Sequence, residues 1–63
     1  MDIITRTETK NGKTAEIRIE NGNRYRVTLW NENGRATKSN IYGLNDKKAA
    51  TACFSRYKKE VNA

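Results

Sequence analysis

The residues of this chain with the chemistry to hold a partner are cationic and aromatic. Arg24, Arg26, Thr28 and Trp30 occupy alternate positions of one segment, and Lys38, Asn40 and Tyr42 repeat the alternation in another. Arg18 lies in the segment before them and Arg35 opens the last one. A guanidinium can bind two acceptors on a guanine edge, and an ammonium neutralises phosphate. An aromatic ring packs on a sugar, a thymine methyl or an unstacked base. These side chains are the candidate nucleic-acid contacts.

Other chemistries lack their parts. There is no histidine, and Cys53 is the single cysteine. That excludes an internal disulfide, a Cys–His or Ser–His nucleophile and the usual zinc sites. No glycine-rich phosphate loop occurs. Glu16 and Glu20 sit at strand spacing as a carboxylate pair, but Arg18 and Arg24 beside them make surface ion pairing the economical account. At 63 residues, 35% of them hydrophobic, the chain is one domain over 1–63 with little room for a deep substrate cavity. The expectation is a protein that is not an enzyme and has no cofactor, catalytic residue or metal.

The formal net charge is +6. Basic and acidic residues balance from Met1 to Asn23, so the whole surplus lies from Arg24 onward. Such asymmetry points to a polyanionic partner. No stretch approaches the roughly 20 apolar residues of a membrane span, and the start Met1-Asp2-Ile3-Ile4-Thr5-Arg6 lacks a signal-peptide pattern. The expected location is cytoplasmic, with no membrane partner.

The elements that must position these residues are marked by punctuation. Asn-Gly occurs at 11–12, 21–22 and 33–34, and this dipeptide favours hairpin turns because both residues tolerate positive φ. Between the turns, Ala15, Ile17 and Ile19 alternate with polar residues, as do Tyr25, Val27 and Leu29. Period two with one apolar face predicts antiparallel strands over about 3–9, 14–20, 24–30 and 35–42. After Gly43-Leu44-Asn45 the period changes. Ala50, Phe54, Tyr57 and Val61, widened by Ala49 and Cys53, form a helical stripe over about 46–61, with Asn45 as N-cap and Asp46 at the positive helix end. The predicted fold class is α+β: an antiparallel β-meander of three to four strands with one C-terminal helix packed on one face.

Loop length sets the register. A three-residue loop at Asn21-Gly22-Asn23 places Ile19 opposite Tyr25, Ile17 opposite Val27 and Ala15 opposite Leu29, so all apolar residues share a face. A three-residue loop at Glu32-Asn33-Gly34 places Leu29 opposite Thr37, Val27 opposite Ser39 and Tyr25 opposite Ile41, with Gly34 in the left-handed bulge position. The open face then carries Glu16, Arg18, Glu20, Arg24, Arg26, Thr28, Trp30, Ala36, Lys38, Asn40 and Tyr42. Trp30 has two roles open to it, a contact on this face or packing at the core rim against Ala36. Cys53 reads as inert packing on the apolar stripe.

The segment from Thr14 to Val61 resembles the three-stranded-sheet-plus-helix DNA-binding domains. These include the plant ethylene-response-factor type and the arm-binding domains of phage and transposon tyrosine integrases. The resemblance rests on the hairpin Ala15-Glu16-Ile17-Arg18-Ile19 through Tyr25-Arg26-Val27-Thr28-Leu29-Trp30. It rests also on Asn45-Asp46-Lys47-Lys48-Ala49-Ala50, which is similar to the threonine-lysine-lysine-glutamate-alanine helix start of the integrase domains. It covers about three quarters of the chain. It implies major-groove reading by Arg18, Arg24, Arg26, Trp30 and Lys38. The chain departs from that pattern in Tyr42-Gly43-Leu44 before the helix and in an additional amino-terminal strand. Asn23 to Leu29 with Ala49-Ala50-Thr51 also looks like a small bacterial three-strand-plus-helix family that pairs sheets into dimers.

The expected partner is nucleic acid, DNA ahead of RNA, bound by a module of phage or mobile-element origin in a bacterial host cell. A second expectation is a phage-type protein inhibitor, similar to anti-CRISPR proteins, covering a nucleic-acid-handling enzyme with Trp30 and Tyr42 as anchors. A third is a homodimer that buries the open face.

Overall fold

The structure is a computed structural model and describes residues 2–63. Alternating residues between Asn-Gly turns build four strands: β1 (Ile3–Lys10), β2 (Lys13–Glu20), β3 (Arg24–Trp30) and β4 (Ala36–Gly43). They form one antiparallel sheet in the order β1-β2-β3-β4. A short 3-10 turn, Leu44–Asp46, leads into the helix α1 (Lys47–Val61), which packs on one face of the sheet. The fold class is the α+β meander with a C-terminal helix that alternation and periodicity predict. Among the described residues, no helix is long and apolar enough to cross a membrane.

Local geometry explains the turns. Asn11 and Gly12 have φ of 56° and 81°, the paired positive values of a tight two-residue hairpin turn. A Cβ on Gly12 would stand 3.1 Å from the Glu32 side chain, which would have to shift slightly, so it is the positive φ that favours glycine there. The Asn21–Asn23 loop closes through Asn23 N–H donating to the Glu20 carbonyl at 3.2 Å. At the third turn Asn31 N–H donates to the Arg35 carbonyl at 2.8 Å, and the Asn31 Oδ1 accepts from Arg35 N–H at 3.0 Å.

The core joins Ala15, Ile17, Tyr25, Val27 and Leu29 of the sheet to Ala50, Cys53, Phe54, Tyr57 and Val61 of the helix. Ala15, Val27, Ala50, Cys53 and Val61 are fully shielded from solvent. Small residues on the helix stripe let it approach the sheet closely, and Phe54 and Tyr57 supply the bulk. Burying such a side chain contributes roughly 1.5–3 kcal/mol. Asp46 stands at the N-cap without a side-chain cap bond, and Asn45 lies inside the 3-10 turn. The expected Asn45 cap is therefore replaced by a tightened first turn.

The β2–β3 register is the expected one, with Ile19 opposite Tyr25, Ile17 opposite Val27 and Ala15 opposite Leu29. The β3–β4 register corrects the expectation. It begins as foreseen, with Trp30 opposite Ala36, but Leu29 then faces Lys38, Val27 faces Asn40 and Tyr25 faces Tyr42. Thr37 is left unpaired, a bulge that turns every later residue of β4 over. Its hydroxyl donates to the Leu29 carbonyl at 3.2 Å. The edge strand β1 repeats the device at Thr5, whose hydroxyl donates to the Ile17 carbonyl at 3.0 Å.

A buried phenol explains why the bulged register wins. Tyr57 is only 5% exposed, and its oxygen accepts a 2.6 Å hydrogen bond from Asn40 Nδ2. The straight register would carry Asn40 to the other face. A buried hydroxyl left without a partner costs about 1–3 kcal/mol. Ile41, expected over the core, is instead 52% exposed, and Tyr42 packs against the core margin.

Candidate nucleic-acid interface

The face opposite the helix is organised in cross-strand rows. Ile4, Arg18, Arg26 and Ile41 form one, since each is the register partner of the next. Thr7, Glu16, Thr28 and Ser39 form a second, and Thr9, Thr14, Trp30 and Ala36 a third. Glu20 pairs with Arg24 at the far end. Of the sequence-predicted contacts, this face brings together Arg18, Arg24, Arg26, Thr28 and Trp30.

Its arginines lie across the sheet and do not project from it. Arg18 donates through Nε to Glu16 Oε2 at 2.7 Å, with Nη1 3.4 Å from Asp2. Glu20 takes two guanidiniums, Arg24 Nε at 2.8 Å and Arg26 Nε at 2.6 Å. Arg26 also donates through Nη1 to Ser39 Oγ at 2.9 Å. The cover is close enough that Glu16 and Thr28 are only 7% and 3% exposed on a face with no second layer. The hydrogen bond from Arg26, and next that from Arg24, hold the Glu20 carboxyl down at about 2. The bond to Glu20 in turn raises Arg26, and the bond to Glu16 raises Arg18, further above the range where either could lose its charge.

Three cations here meet three carboxylates, Asp2, Glu16 and Glu20, so the face is charge-balanced. Trp30 is half-buried between Thr14 and Ala36 and borders a shallow depression of about 350 Å³ shared with Arg18, Arg26 and Ser39.

Lys38, Asn40 and Tyr42 are on the helix side, contrary to expectation, because of the Thr37 bulge. Lys38 Nζ donates to both Glu60 oxygens, at 3.0 and 2.9 Å, and stands 5.9 Å from the Tyr57 ring centroid. Besides Tyr57, Asn40 meets the Cys53 sulfur at 3.7 Å. Burial first, and then the neighbouring thiol, push the Tyr57 phenol up to about 12, while the Asn40 bond pulls it the other way. The same thiol is the leading cause of the raised Tyr42 phenol. This cluster of Asn40, Tyr57, Cys53 and Tyr42 fastens β4 to α1. Arg35 is exposed at the turn before β4.

The unpaired cations define a different surface. Only Arg18, Arg24, Arg26 and Lys38 have a carboxylate within 4.0 Å among the described residues. Lys47, Lys48, Arg56, Lys58 and Lys59 of α1 have none, nor do Arg6, Lys10, Lys13 and Arg35. The whole +6 therefore lies off the open face. Reasoning on strand alternation passed over Arg56, Lys58 and Lys59. The signal available was their absence from the apolar stripe of a helix otherwise poor in carboxylates. Among the described residues, no group of His, Cys, Asp and Glu is placed to hold a metal.

Comparison with known proteins finds no family model, no curated protein and no solved structure that matches the chain.

Proposed function

We propose that this protein is a small nucleic-acid-binding module that favours duplex DNA. One observation carries the reading: among the described residues, every Lys and Arg without a carboxylate partner lies on α1, on the turns, or on the helix side of β1 and β2, and together they hold the full charge surplus. Lys48 and Lys59 project from the helix face opposite Ala50, Cys53, Phe54 and Tyr57, with small Ala52 and Ser55 between them. Arg56 and Lys58 flank this stripe. A basic helix with a small-residue crest suits phosphate contact along a groove. The open sheet face serves as a secondary surface, through the terminal nitrogens of Arg24 and the rim of Trp30. The buried, unpaired thiol of Cys53 is compatible with the reducing cytoplasm of a bacterial host. A phage or mobile-element source fits the integrase-type resemblance.

The test is fluorescence anisotropy of labelled duplex, single-stranded and RNA oligonucleotides at two ionic strengths. If about five phosphates are neutralised, log K falls with log salt at a slope of roughly −4 to −5. No binding of any oligonucleotide at low salt would refute the reading.

A second reading is supported by the open face itself. A charge-matched surface with Ile4 and Ile41 at its two edges, 55% and 52% exposed, suits a protein partner better than a polyanion. That partner is a nucleic-acid enzyme covered by an inhibitor of the phage type, or a second copy. Sedimentation reports the second copy directly. Loss of association in Ile41→Lys, with oligonucleotide affinity unchanged, would favour this reading over the first.

A further inference from the structure

The geometry points to a binding cleft for a small apolar anion, of the alkyl- or arylalkyl-carboxylate class, between β1 and the first turns of α1. The cleft encloses about 450 Å³, within the span of known small-ligand sites. Its floor is Ile17, Ile19, Tyr25 and Phe54. Ile3, the register partner of Ile19, continues this floor and is 55% exposed.

The opening follows from two local features. The first turns of α1 present small Ala50 to the sheet, so little of the helix fills the space above Ile19 and Tyr25. The Thr5 bulge bends β1 alongside it, and Thr5 and Thr51 form its hydroxyl-bearing rim.

Charge selects the ligand. The lining holds two cations, Arg6 and Lys47, and no carboxylate. Neither cation has a carboxylate partner among the described residues. The Arg6 guanidinium sits 5.0 Å from the Phe54 ring centroid, which holds it beside the apolar floor. An apolar tail would cover Ile19 and Tyr25 while its anionic head meets Arg6 and Lys47. A phosphate backbone has no apolar part for this floor, so although Arg6 and Lys47 belong to the same unpaired cations, the apolar floor sets the cleft apart from the Lys48–Lys59 stripe.

The experiment titrates the labelled full chain with decanoate, decanol and decyltrimethylammonium, each below its micelle concentration, and follows the amide spectrum. Decanoate should shift Ile17, Ile19 and Thr51 saturably, and decyltrimethylammonium should not. The double variant Arg6→Gln/Lys47→Gln should weaken decanoate by at least about tenfold, since the head loses both of its cations, with decanol unaffected. An unchanged amide pattern of the free variant establishes that it folds; should it not fold, Lys47→Gln alone should reproduce a smaller loss. Equal affinity for the three tails, shifts centred on Trp30, or no saturable shift with decanoate would each overturn the proposal.

Discussion

Arg18 and Arg26 face each other directly across β2 and β3, like charge against like, in the middle of the open sheet face. Such a pair is unfavourable by itself. It persists because each guanidinium is drawn to a different carboxylate, Arg18 to Glu16 and Arg26 to Glu20, with Nε at 2.7 and 2.6 Å. The arginines thereby become the roof of the sheet. Their charge is neutralised within the molecule, which is why the unpaired cations are left to the helix, the turns and the helix side of β1 and β2.

Acid should loosen this roof over a defined range. The folded-state value of Glu20 is held at about 2 against an ordinary 4.5, so the unfolded chain binds the proton first. The stabilisation is complete above about pH 4.5 and is lost as pH falls toward about 2. Thermal melts across that window should show a falling midpoint. Glu20→Gln should melt lower at neutral pH and flatten the acid dependence. A variant as acid-sensitive as the parent would remove Glu20 from the account.

Asn40→Ala should destabilise the fold although Asn40 lies on an exposed edge strand. It strips the 2.6 Å bond from a phenol that is 5% exposed. The expected loss is about 1–3 kcal/mol, read as a lower urea midpoint with unchanged slope. Ser39→Ala, whose side chain meets only Arg26 at the surface, is the comparison and should cost less.

Phe54→Ala should unfold much of the population at room temperature. The ring is 2% exposed and among the largest fully shielded side chains. Its removal costs about 3–5 kcal/mol, comparable with the roughly 3–9 kcal/mol available to a domain of this length. Far-ultraviolet circular dichroism and the urea transition check this.

The proposed nucleic-acid surface makes its own demand. Lys48→Ala with Lys59→Ala should reduce the salt slope of duplex binding by about two, one per phosphate contact. Arg26→Ala should leave the slope unchanged, because its cation is already neutralised by Glu20. The reverse pattern would return the interface to the open sheet.

Much of this molecule is written locally in its residues. Asn-Gly pairs set the turns, because positive φ is a property of the residues themselves. The β2–β3 register follows from one apolar face on each strand, since any slip would expose Ile17 and Val27 together. The helix stripe from Ala50 to Val61 is equally legible. The strand β4 is different: Ala36 to Gly43 is polar on both faces apart from Ile41 and Tyr42, so no local pattern chooses which side points inward. A buried phenol on α1 chose it, by requiring Asn40 beneath the helix and thereby the bulge at Thr37. Likewise, a count of charges along the chain finds the surplus but not its location. Chain order already sets Glu16 and Glu20 near Arg18 and Arg24, but only the folded sheet adds Arg26 to Glu20 and Asp2 to Arg18, because those pairings depend on distances that chain order does not contain.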